Sequence, residues 1–246
     1  MGDSWPGRIG KAITGLFVPA TCPSCGGGLA RDRVGHFCPA CVQRIDRLAA
    51  PFCEVCGGPI KARLVADGAA NCGSCTDRAF GMARAYGVQT GLLRDLITRL
   101  KYGQEQSLSE PLGQLVLEAA QEHLLVQDYE AVVPVPLHPN RQRERGFNQA
   151  FLLARPLARE IRIPIVHALQ RSVPSATQVG QSLDARARNV QGAFSLSPRA
   201  KEKIGKRNVL LVDDVLTTAA TAHEAARALR RGGAARVDVV TLARAV

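Results

Sequence analysis

The sequence predicts an α/β protein in which a parallel-sheet domain follows a small, cysteine-rich module held together by metal. Three observations predict it. The apolar run Val209-Leu210-Leu211-Val212 is too short for a helix, ends in two acids, and leads through small and hydroxylated residues into the helix-like Ala222 to Arg231; this reads as a buried strand, a loop and a helix N-terminus. All 8 cysteines fall in four Cys-x-x-Cys pairs within the first third of the chain. Near residue 80 the pattern changes from Gly- and Pro-rich and aperiodic to regular strand and helix periods, which places a boundary between a module of residues 1–80 and a domain of residues 81–246.

At the N-terminus, Ile9, Ile13, Leu16 and Phe17 repeat at helical spacing before Pro19, so Arg8 to Phe17 is expected as a short amphipathic helix packed on the module. Attachment to a membrane surface is the weaker alternative, with only Arg8 and Lys11 to support it. No apolar run reaches the length of a transmembrane helix, and the first residues make a poor secretory signal. A cytoplasmic location is expected.

The cysteine pairs are Cys22/Cys25, Cys38/Cys41, Cys53/Cys56 and Cys72/Cys75, separated by 12, 11 and 15 residues. In a reducing compartment such pairs are metal knuckles more often than disulfides, and two pairs make one tetrahedral thiolate site. Two structural Zn²⁺ ions are therefore expected, the first two pairs on one and the last two on the other, with an interleaved pairing also compatible with the spacing. The segment has too little apolar material to fold alone, so zinc supplies stability. Gly26-Gly27 and Gly57-Gly58 directly follow Cys25 and Cys56, where glycine lets the backbone turn amides toward sulfur. The parallel layout suggests a duplicated knuckle; a thioredoxin-like redox role is the competing reading.

Charge divides unevenly. The chain carries 32 Lys+Arg and 21 Asp+Glu, a formal +11. Residues 1–80 hold 9 basic and 6 acidic side chains, so +3, and two sites of four thiolates and one Zn²⁺ bring this to about −1. The remaining 23 basic and 15 acidic side chains leave +8 on residues 81–246, which should attract phosphates.

Beyond residue 80, Arg84 to Gln89 alternates as a strand, Leu92 to Leu100 and Leu112 to Leu125 read as helices, and Ala131 to Val135 is a compact apolar strand. Pro134 to Pro139 closes that strand, and the basic loop Asn140 to Gln149 follows; a strand end beside clustered arginines is an anion site. Phe151 to Ile161 reads as a helix that Pro156 should kink or interrupt. Arg171 to Phe194 is long, polar and basic, with Gln178, Arg186 and Asn189 inside it and Gly192-Ala193-Phe194 at its end; it reads equally as a flap or as a surface linker. Val237 to Ala243 reads as the last strand.

The ligand site is expected at the end of the Val209 strand. Four apolar residues in a row suit a strand covered on both faces, which puts Asp213 and Asp214 where open α/β sheets bind ligands. Thr217, Thr218, Ala219, Ala220 and Thr221 can present amides and three hydroxyls to one anion at the helix N-terminus. Two carboxylates beside a phosphate would repel it unless they accept hydrogen bonds from something else, and a ribose diol donates two. A sugar phosphate fits.

Asp213-Asp214 followed by Thr217-Thr218-Ala219-Ala220-Thr221 resembles the phosphoribosyl diphosphate (PRPP) motif of type I phosphoribosyltransferases. That resemblance implies acids on the ribose hydroxyls, a loop on the 5′-phosphate, and Mg²⁺ accompanying PRPP. The family usually has glycine where this chain has Ala219; if the backbone there has positive φ, alanine costs about 1 kcal/mol. Taken in order, the four cysteine pairs, Leu100-Lys101-Tyr102, Arg145-Gly146-Phe147-Asn148-Gln149, Arg186-x-x-Asn189 with Gly192-Ala193-Phe194, and the Asp-Asp-threonine loop resemble the ComF family. The resemblance implies a double zinc ribbon before a phosphoribosyltransferase-like domain. It also implies Arg141, Arg145 and Asn148 in the diphosphate loop, and an association with uptake of single-stranded DNA alongside a competence helicase. Two functions remain open. One is a transferase of the glycosyltransferase class that binds PRPP and passes ribose phosphate to an acceptor the sequence does not name. The other is a non-catalytic module that reuses the phosphate sites to hold single-stranded nucleic acid; with 4% aromatic residues its binding would be led by phosphate contacts rather than stacking.

Overall fold

The computed structural model describes residues 21–30, 36–60, 71–73, 75, 77–172 and 191–246. The expected N-terminal helix, and Gln178, Arg186 and Asn189, lie outside the described residues.

Four parallel strands form the central sheet: β1 (Ala83–Val88), β2 (Ala131–Pro134), β5 (Asn208–Leu216) and β6 (Arg236–Arg244), in the order β1-β6-β5-β2. The reason β5 reads as a continuous apolar run is visible in its packing. Leu210 and Val212 enter one core cluster, Val209 and Leu211 the other, and all four are fully buried. One face is covered by α2 (Gly91–Tyr102), α3 (Ser109–His123) and α5 (Gln149–Glu160), through Leu93, Leu112, Leu153 and Leu157 among others. The other is covered by α7 (Ala220–Arg231) and a small antiparallel hairpin of β3 (Leu169–Arg171) and β4 (Phe194–Leu196).

Several elements differ from the sequence reading for identifiable reasons. Pro139–Arg145, expected as loop, is a short helix, α4. His138 caps it by accepting the Asn140 amide, and Gly146 ends it at φ 79°, the usual pair of start and stop signals. Pro156 does not break α5; its ring lies against Gly113 of α3, where a Cβ would meet the proline Cγ at 2.6 Å, so helix packing holds the proline in place. Strand β3 and helix α6 (Ala200–Ile204) were too short to read. Asp213 and Asp214 lie inside β5 rather than after it, because the strand runs on to Leu216.

In the cysteine-rich module, α1 (Pro39–Val42) follows Cys38. Its first half packs into the sheet's larger core through Cys22, Phe37, Cys41 and Ile45. The second half has a small cluster of its own, Cys53, Cys56, Ile60 and Cys75.

Candidate functional site

The cleft exists because β2 stops early. Its pairing with β5 ends at Pro134 opposite Val212, followed by one bond from the Val135 amide to the Val212 carbonyl at 2.9 Å. The next rung is not made, because the Val135 carbonyl accepts the Asn148 side-chain amide at 3.0 Å and the Asp214 amide is turned to Asp213 Oδ1 at 2.8 Å. Strand β5 goes on pairing only with β6, as far as Leu216 opposite Arg244, so its other edge opens at Asp213 and Asp214 into a cleft of about 260 Å³.

The two acids are held differently. Asp214 Oδ2 pairs with Lys101 Nζ at 2.8 Å, both side chains largely buried. Asp213 Oδ1 accepts the Asp214 amide at 2.8 Å. Burial, and after it the neighbouring Asp214 charge, push the Asp213 carboxyl from 3.8 up to about 7, against the pull of that amide, Lys101 and Arg171. Four cations line the same cleft, Lys101, Arg141, Arg145 and Arg171. Four positive and two negative side chains leave a surplus for an anion beside a carboxylate pair suited to hydroxyl donors.

Past Leu216, the Thr217 and Thr221 side chains reach the cleft. The Thr218 hydroxyl instead accepts the Ala220 amide at 3.4 Å, and Ala219 is buried behind the loop. Ala219 stands at φ 62°, ψ 5°, the left-handed region, at the cap of α7. Among the described residues the amides of Thr217, Thr218 and Ala219 donate to no backbone carbonyl, so the loop is not collapsed onto itself. Ala220 and Thr221 belong to the first turn of α7, whose free N–H groups and dipole favour an anion.

On the opposite wall, Arg141 and Arg145 sit on α4. The Arg145 guanidinium lies 5.3 Å over the exposed Tyr102 ring. Asn148 is differently employed. It caps α5 by accepting the Ala150 amide at 3.0 Å and donates to the Val135 carbonyl at 3.0 Å, which fixes the end of β2. Lys101, Tyr102, Gln149 and Arg171 also line the cleft, and sequence reasoning did not assign them to it. Lys101-Tyr102 and Gln149 were visible only inside longer motifs. Arg171 gave no signal, since it reaches the site from β3 of the small hairpin. Gln149 Nε2 and Arg171 Nε are buried with no partner among the described residues, so two residues of the cleft lining each hold an unused donor.

The cysteines gather as two groups, Cys22, Cys25, Cys38, Cys41 and Cys53, Cys56, Cys72, Cys75, with all sulfurs in each group within 4.8 Å of one another. Contacts of 3.7 Å (Cys25–Cys38) and 3.8 Å (Cys56–Cys72) match the edge of about 3.8 Å implied by a tetrahedron with Zn–S bonds of about 2.3 Å. The residues fit zinc. The two knuckles repeat each other bond for bond. Gly26 and Gly57 donate to Cys22 and Cys53 carbonyls at 2.8 Å, and the Cys22 and Cys53 amides donate to Gly27 and Gly58 at 2.7 Å. The Cys38 and Cys72 amides point at the Cys22 and Cys53 sulfurs at 3.3 and 3.4 Å. Gly26 and Gly57 stand at φ 74° and 63°, which glycine adopts without strain.

Two family models match the chain, a phosphoribosyl transferase domain over residues 148–245 and a double zinc ribbon domain over residues 13–80. Competence protein F of Haemophilus influenzae is 34% identical over 236 residues, covering 93% of this chain and 99% of that protein. DNA utilization protein YhgH of Escherichia coli is 33% identical over 237 residues with the same coverage. Competence protein ComFC of Bacillus subtilis is 24% identical over 216 residues, covering 84% of this chain and 83% of that protein.

Proposed function

We infer, from the premise that this chain belongs to the ComF family, that its cleft binds PRPP or a closely related ribose phosphate. The observation that carries the reading is the convergence of Asp213, Asp214, Thr217 and Thr221 with four cations on one cleft at the open edge of β5. Each part of the ligand has a partner. The free oxygens of Asp213 and Asp214 accept the ribose hydroxyls, and the Thr217–Ala219 amides with the Thr217 and Thr221 hydroxyls receive the 5′-phosphate. Arg141 and Arg145 face the diphosphate. Mg²⁺ would arrive with PRPP, held mainly by the ligand's own oxygens, and neutralise diphosphate charge.

Should transfer occur, the C1–O bond breaks with its electron pair leaving on diphosphate, and the acceptor's lone pair forms the new bond at C1. The two arginines would stabilise the departing charge, and Gln149 and Arg171 lie where an acceptor or diphosphate oxygen would need donors. The test is a thermal shift with millimolar PRPP and Mg²⁺. A rise in melting temperature that Asp214→Asn abolishes supports the reading, and no shift in the parent protein overturns it.

The domain boundary belongs to the same reading, near residue 80, where the ribbon gives way to β1. The relatives carry names that speak of competence and DNA utilization, which supports a role in DNA uptake for this chain; a cytoplasmic location, with single-stranded DNA and a helicase as partners, is the proposal that goes with it. Among the described residues no helix is long and apolar enough to cross a membrane. Competition between PRPP and a single-stranded oligonucleotide would separate a shared site from two sites.

A further inference from the structure

Arg244, the last residue of β6, joins two parts of the molecule that sequence keeps far apart. Its Nη1 donates to the Leu216 carbonyl at 3.2 Å and to the Thr217 carbonyl, the two residues that open the phosphate loop. Its Nη2 lies 3.8 Å from Cys56 Sγ in the second cysteine cluster. The guanidinium packs closely over Gly58, where a Cβ would stand 3.1 Å from Nη2 and 3.4 Å from Nε, so a side chain there would crowd it. Nε is buried without a partner among the described residues.

A guanidinium enclosed in this way needs a counter-charge. Four thiolates around one Zn²⁺ carry a net −2, and hydrogen bonds to metal-bound sulfur are the ordinary second layer of such sites. Zinc on Cys53, Cys56, Cys72 and Cys75 would fix the Cys56 sulfur beside Nη2, and its removal would free that segment and loosen the anchor. At its other end the fork holds the Leu216 and Thr217 carbonyls on the ribbon side of the loop, which leaves the following amides free to face the cleft.

We propose that Arg244 is a positioning residue that couples the second zinc site to the phosphate loop, so that zinc on Cys53, Cys56, Cys72 and Cys75 raises affinity for the phosphoribosyl ligand and the ligand retains that zinc. The ligand half of this statement rests on the reading of the cleft given above; the loop half does not. Reciprocity is required, since a coupling free energy works equally in both directions.

The experiment follows zinc and loop together in the full-length, zinc-loaded protein. Zinc release to a chromogenic chelator should show two phases, and PRPP should slow one of them by about fivefold or more. In Arg244→Met, which keeps the stem and removes the fork, that slowing should fall below about twofold while the other phase is unchanged. Amide exchange over residues 217–221, read without ligand, should accelerate on chelation in the parent protein and be equally fast in Arg244→Met with zinc still bound. Arg244→Lys, which keeps the charge but cannot span both ends, should behave like Arg244→Met and serves if the methionine variant misfolds. Loop exchange that ignores both chelation and the variants overturns the coupling. A parent protein whose zinc release is indifferent to PRPP, but whose loop exchange responds to zinc through Arg244, would sink the phosphoribosyl reading and leave the coupling standing.

Discussion

The two zinc ribbons are copies in their hydrogen bonds and opposites in what they lean on. The first contributes Cys22, Phe37, Cys41 and Ile45 to the large core beneath α2 and α3. Among the described residues the second has four buried apolar residues in its own cluster and is fastened by polar ties. The Ala83 amide donates to Val55 at 2.7 Å, Arg84 donates to the Glu54 carbonyl at 2.8 Å, and Arg244 reaches Cys56. Each is also tied to an element that carries a different half of the cleft. Arg99 of α2 donates to the Pro23 carbonyl at 3.1 Å, on the helix whose Lys101 pairs with Asp214. Arg244 links the second to the phosphate loop. A duplicated unit can thus be kept for one reason, metal-driven folding, and be tied to two different parts of one site.

The comparison is broken most directly at the cysteines. Cys53→Ser should leave one zinc per chain and cost several kcal/mol, because the second ribbon has little apolar burial to fall back on; Cys25→Ser, at an exposed ligand of the core-supported ribbon, should cost less. Elemental analysis and denaturant melts decide, and equal losses would erase the contrast. On the acid side, Lys101→Met strands the largely buried Asp214 beside Asp213 and should cost about 1–3 kcal/mol, between exposed and buried ion pairs.

Acidity sharpens the same half. With its carboxyl raised from 3.8 to about 7, Asp213 binds more protons folded than unfolded across that window, so its contribution favours the fold at low pH and is lost as pH rises toward 7. Asp213→Asn should flatten that part of the stability profile. Ribose phosphate binding should run the other way, strengthening from pH 5.5 to 8 as the carboxylate forms, and the variant should retain only the part due to the phosphate's own ionisation near pH 6. The smallest effect belongs to the loop. Ala219→Gly relieves about 1 kcal/mol of left-handed strain, but removes a buried methyl worth about 0.8 kcal/mol and loosens the unfolded chain. Stability should change by less than about 1 kcal/mol, with any gain appearing as tighter PRPP binding.

What the sequence made legible was what local patterns encode. A run buried on both faces announced β5, and the spacing of the cysteines announced both metal clusters. Comparing Ala219 with a motif raised the question of a positive φ there, and the structure answers it at 62°. What stayed hidden depends on tertiary placement. Lys101, Arg171 and Arg244 are ordinary cations at the ends of elements, and nothing in their neighbourhoods says which carboxylate, ring or thiolate they will meet. Asn148 is a mixed case. It stands in a motif that suggests ligand contact and it lines the cleft, while its side-chain amide also caps α5 and holds Val135. Helix α4 was concealed because every one of its residues after Pro139 is polar, so it carries no periodic signal.

The early end of β2 reaches further than its four residues. Hollows in proteins are usually pictured as carved by side chains, but this one is opened by a missing rung: the Val135 carbonyl and the Asp214 amide, which would make it, are bonded to side chains instead, and the neighbouring strand is left with a bare flank at its two carboxylates. The room for chemistry here is thus written in backbone that declines to pair.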